Sequence, residues 1–168
     1  MSTTWSDNTN YDGESYFEES SETENTESLC RYVAFISNGL TYVINASCVT
    51  EIITNHSIRK LPMVPSYIPG IINLRGQIIP IVDVRRRMGN YYPSDESSKR
   101  QNCIIVINIH AMEIGIIVDT VTKTLDISEA AIAPMPPNNR QELVNGIQTT
   151  PDGETVLFFD HEMLVNTL

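Results

Sequence analysis

The sequence is poor in the residue types that carry out reactions. Histidine occurs three times, at His56, His110 and His161, and cysteine three times, at Cys30, Cys48 and Cys103. The cysteines are odd in number and far apart, with no C-x-x-C pair. This pattern fits small buried thiols in a reducing compartment better than a zinc site or a disulfide framework. There is no G-x-S-x-G elbow, no glycine-rich phosphate loop ending in Lys-Ser or Lys-Thr, and no H-E-x-x-H. No spacing calls for a cofactor or a metal. Positive charge is also scarce: 11 Lys and Arg stand against 21 Asp and Glu, a net charge of −10. Nucleic-acid binding needs a net basic face, and the composition does not offer one. Long hydrophobic runs are missing as well, the longest being about eight residues against the roughly 20 of a membrane-spanning helix. No basic stretch followed by an apolar one opens the chain, as a secretory signal would require. The expectation is a soluble, cytoplasmic protein without membrane insertion.

What is present divides unevenly. Residues 1–28 carry eight acids, no Lys or Arg, and much Ser, Thr and Asn. Such a segment cannot bury enough apolar surface to offset its ordering entropy, so it is predicted to be a disordered acidic tail. Trp5, Tyr11, Tyr16 and Phe17 lie among its acids, which leaves open either a solubilising leader or a short adhesive motif. Residues 29–168 hold 13 acids and 11 bases and are nearly neutral. At this length they suit one domain or two very small ones, and can bury roughly two thirds of their unfolded surface without a covalent staple.

Within 29–168 the texture is that of short strands. Arg31–Ile36 and Leu40–Ile44 flank Asn38-Gly39, a pair suited to a tight hairpin turn with positive φ at both central residues. Ala46–Val49 reads as a short helical turn capped by Asn45. Glu51–Thr54 and Ile58–Leu61 look extended, and Pro62, Pro65 and Pro69 make 62–69 irregular. Gly70–Leu74 and Gln77–Val84 pair across Arg75-Gly76. Pro80 cannot donate to a ladder, which predicts a sheet edge or a bulge there. Residues 90–101 are polar and read as a surface loop. Cys103–Ile109 and Met112–Val118 pair across His110-Ala111, and Thr120–Ile127 continues as a strand. Ala130–Asn139, with three prolines, is predicted irregular. Val144–Gln148 and Glu154–Phe159 pair across Pro151-Asp152-Gly153, and His161–Leu168 forms a terminal helix behind Asp160. About ten short strands with few helical windows predict an all-β barrel or sandwich, and uninterrupted apolar runs such as Ile104–Ile107 predict strands covered on both faces.

The candidates for chemistry are few. Asp83 and Asp119 each end an apolar run, where capping the following turn is the commoner task of a carboxylate. Asp160-His161-Glu162 resembles a ligand cluster only on paper, because adjacent side chains diverge. Arg85, Arg86 and Arg87 point roughly 100° apart on a helical turn and fit a solvated face or salt bridges with nearby acids. Arg75 differs, since it sits in a glycine-closed turn between apolar arms. Composition leaves two roles open for it, a docking anchor whose planar fork grips carboxylates and carbonyls, or an internal ion pair.

Gly70–Asp83, GIINLRGQIIPIVD, closely resembles the signature of the CheW family, the chemotaxis coupling proteins, also found in the regulatory domain of the chemotaxis histidine kinase. Tyr32–Ile44 resembles that family's opening hairpin, Val49–Ile53 (VTEII) its V-x-E-I segment, Gly115–Asp119 (GIIVD) its second-half signature, and Val144–Phe159 its closing hairpin. The resemblance spans roughly residues 30–165. It departs at Thr120, where a glycine is common, and in Leu40–Val43. It implies two SH3-like five-stranded β-barrels packed together, here taken as 29–89 and 90–168 with possible strand exchange. It further implies a non-catalytic adaptor, cytoplasmic and peripheral to membrane receptor arrays, that couples chemoreceptor cytoplasmic tips to a CheA-type histidine kinase through its regulatory domain. Carried over residue by residue, the receptor-facing groove involves Val49, Glu51, Gly70, Asn73 and Arg75. The rival expectations are a scaffold module of another chemosensory pathway and a small β-barrel enzyme or ligand carrier. The last would need a cavity lined by Asp83, Asp119 and a histidine.

Overall fold

Three two-residue turns organise the chain. In the computed structural model φ is positive at both central residues of Asn38-Gly39 (50° and 76°), Arg75-Gly76 (53° and 89°) and His110-Ala111 (48° and 65°). This geometry matches the twist of the strands it joins. The structure describes residues 28–88, 103–136, 138, 141–166 and 168. The expected disordered tail (apart from Ser28) and the expected loop at 90–101 lie outside the described residues.

The first turn joins β1 (Leu29–Ser37) to β2 (Leu40–Asn45). Asn45 then caps a short 3-10 turn, Ala46–Cys48, its side chain accepting from the Ser47 N–H. β3 (Val49–Thr54) follows, then an irregular stretch that holds three prolines. The second turn joins β4 (Gly70–Leu74) to β5 (Gln77–Asp83), which runs into α1 (Val84–Arg87). The third joins β6 (Cys103–Ile109) to β7 (Met112–Val118). β8 (Thr120–Ser128), a two-residue β9 (Ala133–Pro134), β10 (Val144–Thr149), β11 (Thr155–Phe159) and α2 (His161–Asn166) complete the order. Asp160 caps α2 by accepting from the Met163 N–H.

The strands form two curled half-barrels, a six-stranded sheet ordered β8-β1-β2-β11-β10-β9 and a five-stranded sheet ordered β3-β6-β7-β5-β4. Each is built alike. One hairpin (β1–β2 or β6–β7) pairs in parallel with a second (β10–β11 or β4–β5), and a single strand, β8 or β3, flanks the first. The sheets do not follow chain order. Residues 29–45 and 120–159 make the larger one and 49–118 the smaller. The expected boundary at 89/90 therefore falls inside the smaller sheet, between β5 and β6.

Both faces of the central strands are covered, which explains their unbroken apolar runs. Val33, Phe35, Tyr42 and Ile44 of the larger sheet meet Ile105, Ile107, Ile114 and Ile116 of the smaller one in a seam between them. The alternate residues fill two separate interiors: Tyr32, Ala34, Val43 and Phe158 in one, Ile72, Ile79, Ile81, Ile104 and Val106 in the other. Period-two alternation thus sends one apolar set to the seam and the other to the barrel interior.

Pro80 departs from expectation, because β5 lies between β7 and β4 and is not an edge. Its register partner Ile71 uses both backbone groups on the far side, exchanging hydrogen bonds with Arg59 at 2.8 and 2.9 Å. The Pro80 nitrogen therefore points toward β7, where pairing begins only at Ile81 opposite Gly115. The missing donor falls on an unpaired rung, so neither an edge nor a bulge is needed.

Candidate functional site

β3 and β4 are the two outermost strands of the smaller sheet. Curling brings them together. The Arg75 Nη2, in the turn after β4, lies 3.1 Å from the Glu51 Oε1 on β3. The Arg75 side chain is 80% exposed and that of Glu51 28%. Such a pair contributes only about 0–1 kcal/mol to stability. It orients the guanidinium without burying it, so the ion pair and an outward-facing cation coexist in one residue.

The other residues expected at the groove occupy distinct positions. Asn73 is exposed, and its Oδ1 accepts from the Gly76 N–H at 2.8 Å, which closes the turn that presents Arg75. Val49 is half-buried against the seam, one bulged residue before Glu51 on β3. Gly70 is buried with φ at +150°, and a Cβ built on it would fall on the Arg59 carbonyl oxygen. The missing side chain is what admits the Arg59–Ile71 bridge. Arg75, Asn73 and Glu51 thus share a surface rim, while Gly70 and Val49 support it from beneath.

Beside this rim the chain leaves β4 incompletely paired. The Arg59 bridge covers Ile71, and Asn73, two residues on, directs its backbone groups to the same outer side. Between β4 and residues 56–59 lies a groove of about 390 Å³, with Ile58, Ile71, Ile72 and Ile78 in its wall and His56 and Asn73 at its edge. Ile78 and Ile52 are exposed large apolar residues. Asn73, at the edge of this apolar trough, closes the turn that carries Arg75, an arrangement that suits the apolar face of a peptide or helix with polar groups near one end. Ile71, Ile72 and Ile78 fall within the Gly70–Asp83 motif, whereas Ile58 and Arg59 lie outside it, and the extended run Ile58–Leu61 was their one visible signal.

A second polar centre lies at the opposite end of β5. Asp83 caps α1 by accepting from the Arg85 N–H, and also accepts from the Arg85 Nε and Nη2 at 2.9 and 3.0 Å. The Arg85 Nη1 reaches Asp119 at 3.1 Å, and Asp119 accepts from the Asn38 N–H at 2.8 Å. The Arg85 side chain is only 12% exposed. Burial pulls its pKa down, but the hydrogen bonds and charges of Asp83 and Asp119 more than offset this, and the pKa is raised. The capping expected of Asp83 is present; Asp119 instead accepts from the Asn38 N–H of a distant turn, and both carboxylates hold Arg85 in a largely buried ion triad. Asp119 joins β7 to β8, so the triad ties the smaller sheet to the larger. Of the arginines expected on a solvated face or in salt bridges, Arg85 is buried, and Arg87 pairs with Glu142 at 2.6 Å under the Tyr67 ring. The crevice beside Asp83 is lined by neither Asp119 nor a histidine. Among the described residues no three His, Cys, Asp or Glu side chains are placed to hold a metal ion.

These features have relatives. A family model described as the CheW-like domain matches residues 31–168. The chain belongs to the CheW-like domain family. It is 34% identical over 104 residues to the chemotaxis protein CheW of Rhizobium meliloti (strain 1021), covering 62% of this chain and 65% of that one. It is 32% identical over 108 residues to the chemotaxis protein CheW of Bacillus subtilis (strain 168), covering 63% and 66%. The aligned stretch thus spans about two thirds of these CheW relatives. The crystal structure of the scaffolding protein TtCheW from Thermoanaerobacter tengcongensis superposes with a TM-score of 0.71 at 34% identity, over 79% of this chain and 89% of that one. The two curled sheets are therefore a CheW-like fold. Among the described residues, no helix is long and apolar enough to cross a membrane.

Proposed function

We propose that this chain is a non-catalytic adaptor of a chemosensory array, coupling the cytoplasmic tips of chemoreceptors to the regulatory domain of a CheA-type histidine kinase from the cytoplasmic side. The observation that carries this is the Glu51–Arg75 pair, held open to solvent across the two edges of one sheet, on a turn closed by Asn73 at the edge of an apolar trough. A receptor tip is a helical hairpin. Its apolar face would lie in the trough while Arg75 and Glu51 contact polar groups at the rim, with Asn73 holding the turn. Val49 and Gly70 contribute by shaping the rim. Reversible signalling contacts of this kind bury about 1,200–1,600 Å² in total.

The test is reconstitution of receptor fragments, histidine kinase and this protein, with Arg75→Ala beside the parent. Arg75→Ala is expected to fold normally and to weaken ternary assembly and receptor control of kinase activity. Undiminished control by receptors in that variant would remove Arg75 from the docking surface.

A further inference from the structure

The charge of this chain is segregated more sharply than its total suggests. Residues 1–28 hold eight acids and no Lys or Arg. Residues 52–88 hold six bases, Arg59, Lys60, Arg75, Arg85, Arg86 and Arg87, against one acid, Asp83, a net of +5. Residues 89–168 hold four bases and 11 acids. In the fold Arg75, Arg85 and Arg87 pair with Glu51, Asp119 and Glu142 from outside this stretch, so the cations that bear on the acidic segment are those nearer residues 59–60 and the start of α1.

That basic stretch contains a crevice of about 460 Å³ between residues 58–69 and the start of α1. Its walls include Leu61, Val64, Ile68 and Ile117, and its rim carries Lys60 and Arg86. Lys60 is exposed and has no ion pair among the described residues. Arg86 is half-exposed and lies 3.5 Å from Asp83. Asp83 and Arg85, paired with each other, also line the crevice; its apolar wall and the rim cations Lys60 and Arg86 suit an aromatic ring followed by carboxylates. Tyr16-Phe17-Glu18-Glu19 has that order.

We infer that the segment around Phe17 docks in cis in this crevice, with its aromatic ring against Leu61, Val64 and Ile68 and Glu18 and Glu19 toward Lys60 and Arg86. The reach is sufficient. The 12 residues from Phe17 to Leu29 span up to about 40 Å when extended, whereas a domain of this size has a radius of gyration of about 14 Å. Tethering places the segment at about millimolar effective concentration, so a weak intrinsic contact suffices. The docked segment covers the crevice and its cationic rim, so a partner with acidic and aromatic groups has to displace it. The inference stands apart from the adaptor reading, since it concerns the isolated chain.

The chain has a single tryptophan, Trp5, so a reporter can be moved without ambiguity. In the full chain carrying Trp5→Phe and Phe17→Trp, tryptophan emission should be blue-shifted and shielded from acrylamide at low salt, independently of protein concentration. Adding Lys60→Glu should raise the quenching constant severalfold, and so should about 1 M salt, where the screening length is about 3 Å. Pairing Lys60→Glu with Glu18→Lys should restore the shielding, while far-UV circular dichroism confirms that every variant is folded. Full quenching in the first chain overturns the inference. Shielding indifferent to Lys60→Glu overturns it as well, since the segment then packs elsewhere. Shielding that grows with protein concentration also overturns it, by showing contact between copies.

Discussion

Replacing Gly70 with alanine tests the collision that positions the groove. At φ +150° an L residue is strained, and its Cβ would occupy the place of the Arg59 carbonyl oxygen. The conformational cost is about 1–3 kcal/mol. Relief requires the 58–59 segment to retreat, which breaks both Arg59–Ile71 hydrogen bonds, each contributing about 0.5–1.5 kcal/mol. Together these give a destabilisation of about 4 kcal/mol, or a fall in Tm of about 8–16 °C for a domain of this size. Gly76→Ala is the matched control. Gly76 also has positive φ (+89°), but a Cβ there meets nothing within 4 Å. Only the left-handed cost of about 1–2 kcal/mol then applies. Urea unfolding of the three proteins, followed by far-UV circular dichroism and analysed as a two-state transition, gives both differences directly. Equal losses at the two positions, or a loss below about 1 kcal/mol at Gly70, would refute the collision and with it the supporting role of this residue.

Arg85→Met should destabilise by about 3–5 kcal/mol, because it removes the largely buried cation shared by Asp83 and Asp119, and Arg85→Lys should not recover the loss because an ammonium cannot span both partners. Urea titration of both variants checks this. Cys48, whose pKa burial raises to about 11, and Cys103, also raised by burial, should resist iodoacetamide at pH 8 while the protein is folded. Peptide mass spectrometry reads this out, and rapid alkylation of either thiol would contradict their placement. Glu154 accepts from Lys123 and Thr41, which hold its pKa below the usual carboxylate range. Its contribution is therefore complete above the unfolded-state pKa and lost as pH falls through the folded one. Glu154→Gln should be less stable than the parent near neutrality and equal to it in strong acid, a trend measurable by thermal melts across pH.

The elements were legible where local chemistry decides them. Asn38-Gly39 announced its turn because positive φ favours both residues, and Gly76 announced the second, although Arg75 has no such preference. Asn45 and Asp160 announced their caps, and the two-sided burial of β6 followed from Ile104–Ile107. Pro80 was misread because the rule for proline in sheets treats a strand as a whole, whereas the relevant quantity is which rung its nitrogen faces. The division of strands between sheets was not legible either. It depends on β8 returning to β1, and no local signal marks that pairing. At the site, Glu51 and Arg75 were named by motif, but their contact was not visible, since they come from opposite margins of one sheet and meet only through its curvature. Arg85 was grouped with its neighbours because sequence does not show which of three consecutive arginines turns inward.

The smaller sheet is enclosed, in chain order, between the two portions of the larger one. Arg31 finds Asp126 across 95 residues of intervening chain, and every pairing of β1 with β8 spans a comparable interval. Hairpins β4–β5 and β6–β7 close over short loops and can form early, but the six-stranded sheet has to wait until the enclosed part has compacted and brought β8 back. Assembly should therefore proceed from the middle of the chain outward. During synthesis the first hairpin emerges long before its flanking partner, leaving one edge of β1 open to a neighbouring copy until the last third of the polypeptide arrives.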